Sequence, residues 1–101
     1  MKSVESRNSE ISKDLGYYPH TIKVFKQMIN ENFPQAKPKE GFDDLPSHLL
    51  WMLDEIKKMK NNSGKAGRWI GYVNGRLEAL NLLNNKESRD IVREDVLRKH
   101  D

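Results

Sequence analysis

Residues 45–83 read LPSHLLWMLDEIKKMKNNSGKAGRWIGYVNGRLEALNLL, and their spacing decides the fold. Leu49, Met52, Leu53, Ile56 and Met59 recur every three or four residues, the mark of one buried helix face over 45–60. Asn61-Asn62-Ser63-Gly64 breaks that pattern, with Ser63 the expected cap of a second helix. From Lys65 to Leu83 the periodicity resumes. Placed on a helix, Ala66, Trp69, Ile70, Val73, Leu77 and Leu80 fall within about 100° of one another. Two amphipathic helices joined by a short polar break predict an antiparallel helical hairpin.

Working outward, Asn84-Asn85 ends the hairpin. Residues 86–100 then predict a last, highly charged helix with Ile91, Val92 and Val96 on one side. Upstream, Pro19 suits the first turn of a helix carrying Ile22, Phe25, Met28 and Ile29, which stops before Pro34. The stretch PQAKPKEGFDD (34–44) is a connector whose Phe42 is expected to tuck onto the core. Asp44 is the expected cap of the helix after it, with Pro46 in the first turn. Residues 1–16 are polar, with Ile11 and Leu15 as the main apolar anchors, and read as an arm or a loose helix, leaving 17–101 as a single helical domain. No stretch alternates with period two for more than a few residues. The expectation is an all-α chain, a small bundle built around the hairpin of 45–60 and 65–83.

Length and composition bound what such a bundle can be. At 101 residues there is room for one domain. Charged residues make up 33% of the chain and Leu, Ile, Val and Phe together only 24 residues, so the core is thin and self-association would help to stabilise it. Without cysteine there is no disulfide, thiolate metal site or cysteine nucleophile. The polar start MKSVESRNSE lacks the apolar region of a secretory signal, and the longest apolar run is the five residues Leu49–Leu53. A cytoplasmic protein without membrane contact is expected. A net charge of +3 permits polyanion binding without demanding it.

The second hairpin helix carries a further signal. Opposite its core face lies a strip of Gly71, Gly75 and Ala79 at i, i+4, i+8, bordered by Tyr72 and Leu82. Glycine within a helix costs about 0.5–1 kcal/mol relative to alanine, so two on one face suggest that another backbone approaches closely. That backbone belongs either to the helix near 18–32 or to a second subunit. Trp51 lies opposite the Leu49/Met52/Leu53/Ile56 stripe, among His48, Asp54, Glu55 and Lys58. It is either an interface residue or covered by 1–16 or the connector.

Catalytic and metal-binding patterns are sparse. His20, His48 and His100 have no histidine partner at i+3 or i+4, so no metal is expected. Ser47 adjoins His48 but points about 100° away from it on a helix, and no strained nucleophile turn is present. Ser63-Gly64-Lys65 lacks both the earlier glycine, where Met59 stands, and the Ser/Thr after the lysine, where Ala66 stands, that a phosphate loop requires. Neither an enzymatic role nor a cofactor is expected.

Between Lys57 and Arg68 stand Lys57, Lys58, Lys60, Lys65 and Arg68 with no acid among them. They read as a solvated turn that complements a helix C-terminus, or as an anion site for a phosphate, nucleotide or nucleic-acid backbone. Residues 86–101 instead interleave five bases with five acids, as in Glu94–Arg98 and Asp95–Lys99, the pattern of a self-paired solvent face.

Three segments carry a resemblance: HLLWM (48–52), GKAGRWIGYVNG (64–75) and NKESRDIVRED (85–95). Together they resemble small uncharacterised helical proteins of phage and prophage, which combine HLxWM, KAxRWIG[YF]xxG and a charged SR[DE] segment. His48, Trp51, Lys65, Arg68, Trp69, Gly71 and Gly75 match, over about half of the chain. The resemblance implies a helical fold and a viral accessory origin, hence a host-cell cytoplasmic location, and brings no catalytic residue. The expected function is a non-enzymatic interaction protein. It self-associates through Gly71, Tyr72, Gly75, Ala79 and Leu82 or through Trp51 and binds a host or phage protein. The alternative is a polyanion held by the turn 57–68.

Overall fold

The computed structural model describes residues 16–99, with side chains as far as Leu97. Residues 1–15, nearly all of the polar arm, lie outside the described residues. Among the described residues four helices occur in order: α1 (Pro19–Asn32), α2 (Leu45–Lys58), α3 (Ser63–Ala79) and α4 (Asn85–Lys99). No strand occurs among the described residues. Helices α2 and α3 pair as the hairpin, and α1 packs on both α2 and α4. The chain is an all-α helical bundle.

Three helix ends correct the sequence expectation, each for a reason in local chemistry. Asn62, not Ser63, caps α3: its Oδ1 accepts the Lys65 N–H at 3.0 Å and Ser63 is already helical. The same helix stops at Ala79 rather than Leu83 because Asn81 adopts a left-handed conformation (φ 63°). The Asn81 N–H then reaches the Glu78 carbonyl at 2.9 Å and the Leu82 N–H the Leu77 carbonyl at 3.0 Å, a Schellman closure. The reversal takes Leu82 off the Gly71/Gly75/Ala79 strip and onto the core, buries Leu83, and leaves Leu80 exposed where a core position was expected. Asp44 does precede α2, yet its carboxylate takes the Ser47 hydroxyl at 2.7 Å instead of a backbone amide. At α4 Asn84 and Glu87 exchange backbone-to-side-chain hydrogen bonds, both 2.8 Å, in a capping box.

The core is Phe25 and Ile29 from α1, Leu49, Leu53 and Ile56 from α2, and Ala66, Val73 and Leu77 from α3, all fully buried. Helix α4 adds little apolar surface: Ile91 is half-buried, while Val96 and Leu97 are exposed. A buried carboxylate does much of the docking. Asp95, expected on a solvent face beside Lys99, instead accepts the backbone N–H of His20 (3.0 Å) and of Thr21 (2.7 Å) and the Thr21 hydroxyl (2.6 Å). These amides are free donors of the first turn of α1, where Pro19 has none and Tyr18 offers no side-chain cap. An anion at that end also meets the positive pole of the helix dipole.

Candidate functional site

Helix α3 borders several of the candidate surfaces. Ala66, Ile70, Val73 and Leu77 face α2. On one flank, Asn74 and Ser88 both donate to Glu78 Oε2, at 2.9 and 2.8 Å, tying α3 to α4. Asn74 Oδ1 is buried there without a partner among the described residues. A Cβ on Gly67 would lie 3.4 Å from the Tyr18 hydroxyl, so the residues before α1 cover that position.

The outward face of α3 is open. Gly71, Tyr72, Gly75, Arg76 and Ala79 are all exposed, and a Cβ built at Gly71 or Gly75 would meet none of the described residues within 4 Å. The close approach of α1 to this strip, one of the two readings of its glycines, is therefore absent. Arg68 lies on the same face, its guanidinium 3.5 Å from where a Gly64 Cβ would stand.

Across the hairpin runs an array of rings. Phe42 tilts against His48 with centroids 4.4 Å apart, His48 stacks on Trp51 at 5.5 Å, and Trp51 meets Trp69 at 5.9 Å. Lys65 Nζ then lies 5.0 Å over the Trp69 ring. Trp51 is half-buried in this array rather than standing alone among charges. Phe42, expected on the core, is 72% exposed and covers the His48 ring instead. His48 is buried because it pins the connector: its Nδ1 accepts the Gly41 N–H at 3.0 Å, which requires that nitrogen to carry no proton. Ser47 does the same work beside it, its Oγ accepting the Lys37 N–H and its carbonyl the Lys39 N–H, both at 3.1 Å. Ser47, Asp44 and His48 thus hold a loop in place.

The five cations of the 57–68 turn have different surroundings. Lys58 pairs with Glu55 at 3.1 Å, Lys65 lies over Trp69, and Arg68 is on the open face of α3. The Lys60 carbonyl accepts the Tyr17 hydroxyl at 3.0 Å, while Gly16 (φ 73°) lies against the Lys57 carbonyl, so residues 16–18 pack onto the turn. Lys57 joins a groove of about 290 Å³ between α1 and α2, lined also by Pro19, Ile22, Lys23 and Lys26. Lys26 forms an ion pair with Asp54 across that interface. Among the described residues no group of three or more His, Asp or Glu could hold a metal ion, and no helix is long and apolar enough to cross a membrane.

Comparisons with family models, curated proteins and solved structures match nothing to this chain. The site therefore rests on its own geometry. The strip on α3 was found from spacing, and His48, Trp51, Lys65 and Trp69 lie together in one array. Sequence reasoning did not find Lys23 and Lys26 beside Lys57. Their spacing was available, since Pro19, Ile22, Lys23 and Lys26 stand at i, i+3, i+4, i+7, but a stripe half made of lysine does not read as a buried face.

Proposed function

We propose that the protein is a non-enzymatic helical interaction module that self-associates through the outward face of α3 and presents a protein-binding surface. The observation that carries this reading is the exposure of Gly71 and Gly75. Each costs about 0.5–1 kcal/mol of helix stability relative to alanine, and among the described residues neither gains any contact that a side chain would block. A second copy laid along Gly71, Gly75 and Ala79, with Tyr72 packing beside them, gives that absent side-chain volume a use. Ser47, Asp44 and His48 are all engaged in fixing the connector, which supports a binding role over acid–base or nucleophilic chemistry. The resemblance to phage proteins supports a viral accessory factor acting on a host or phage protein.

The test is sedimentation or light scattering of the wild type and Gly75→Leu over a range of concentration. No described residue lies within 4 Å of a Cβ at Gly75, so leucine is accommodated in the monomer, whereas at a close helix contact overpacking costs about 1–3 kcal/mol. The expected outcome is a concentration-dependent oligomer that shifts to monomer in the variant with its helical signal intact. A wild type that stays monomeric at high concentration removes the reading. The other reading, a polyanion bound by the whole turn 57–68, has less support because two of its five cations are already engaged, Lys58 with Glu55 and Lys65 over the Trp69 ring, while Lys57 lines the α1–α2 groove.

A further inference from the structure

We propose that the groove between α1 and α2 is a binding site for a small phosphomonoester, an anionic head on a short apolar body. One stripe of α1 supplies Pro19, Ile22, Lys23 and Lys26, and the last turn of α2 supplies Lys57. Three ammonium groups on one groove repel one another unless negative charge meets them. Asp54 answers Lys26 alone. Lys23 and Lys57 are exposed and have no carboxylate partner among the described residues, which leaves two uncompensated positive charges beside an apolar floor of Pro19 and Ile22. A phosphomonoester carries close to two negative charges at neutral pH and so matches that pair in charge as well as sign. Lysine meets phosphate as a mobile point charge, needing no planar fork, and its methylene stem extends the apolar wall. At about 290 Å³ the groove is at the lower limit of ligand pockets, a size that suits a single ring or short chain. The site shares Lys57 with the turn but none of its other cations, and it is independent of the α3 face.

The experiment titrates full-length protein with phenyl phosphate, inorganic phosphate and benzyl alcohol, tracking the NMR signals of Ile22 and Lys57. Phenyl phosphate is expected to shift both saturably. Inorganic phosphate should shift them with weaker affinity, since it leaves the apolar floor uncovered, and benzyl alcohol should shift neither. Lys23→Gln with Lys57→Gln should weaken phenyl phosphate about tenfold, the upper range for two exposed charge contacts. Lys86→Gln with Arg89→Gln, which removes the same charge from α4, should leave the affinity unchanged. All four side chains are exposed, and matching thermal melts check that each variant folds. Equal weakening by both double variants overturns the site in favour of net charge alone, and the absence of saturable shifts at millimolar phenyl phosphate overturns it outright.

Discussion

The carboxylate of Asp95 accepts both the backbone N–H and the hydroxyl of Thr21, at 2.7 and 2.6 Å, so a residue near the end of α4 serves as the N-cap of α1. Local caps hold one helix. This one holds two helices together, because the first turn of α1 has its remaining donors satisfied only when α4 is docked. Since α4 adds little to the apolar core, the capping contact carries a large share of that interface.

Asp95→Ala should therefore destabilise the fold by about 2–3 kcal/mol, more than a surface cap, since it strands two amides and a hydroxyl at a buried site. Asp95→Asn keeps one acceptor oxygen but turns an amide donor toward the other N–H, and should fall between alanine and the wild type. Thermal melts read the effect directly: each kcal/mol corresponds to about 4–8 °C in a domain of this size. Melts of Asp95→Ala and wild type that coincide would mean that α4 docks by other contacts.

His48 offers a separable test of the connector. Its Nδ1 holds the Gly41 N–H, and its ring lies between Phe42 and Trp51. His48→Asn places an amide oxygen near the Nδ1 position and should preserve slow hydrogen exchange at Gly41 while losing the stack. His48→Ala should lose both, costing about 1–3 kcal/mol with the larger part from the cavity and the unpaired amide. Equal exchange rates at Gly41 in the two variants would contradict the tether.

How far the sequence could foresee this arrangement depends on the range of the interaction. The hairpin was legible because Leu49, Met52, Leu53 and Ile56 on one helix and Ala66, Ile70, Val73 and Leu77 on the other state their buried faces by spacing alone. The Schellman end at Asn81 was not, since nothing in a run of Ala79-Leu80-Asn81-Leu82-Leu83 says which apolar residue turns inward. Asp95 was read as a surface charge because its partners are backbone amides 74 and 75 residues away, and amides carry no sequence signature. The groove lysines were hidden for the same reason: α1 and α2 meet only in the fold. The strip on α3 was legible as a pattern, while its exposure was not, because spacing cannot say which neighbour, if any, covers a face.

Glycine-to-alanine substitutions should act with opposite signs at two kinds of position. Gly16 has φ 73°, and a Cβ there would stand 2.9 Å from the Lys57 carbonyl. Alanine must adopt an unfavourable conformation and push against backbone, so Gly16→Ala should destabilise by more than about 1 kcal/mol and loosen the packing of Tyr17 on the turn. Gly71 and Gly75 are helical, with none of the described residues within 4 Å of a new Cβ. In dilute, monomeric protein Gly71→Ala and Gly75→Ala should each stabilise by about 0.5–1 kcal/mol. The proposed self-association adds a second expectation at high concentration, where the same methyl groups stand between two helices and should weaken assembly. The combination of a higher melting temperature at low concentration and a lower association constant is what distinguishes a face kept bare for a partner from one that is merely unpacked. Glycine variants that gain monomer stability and leave assembly unchanged would assign the interface to another surface, with the Phe42–His48–Trp51–Trp69 array the next to be substituted.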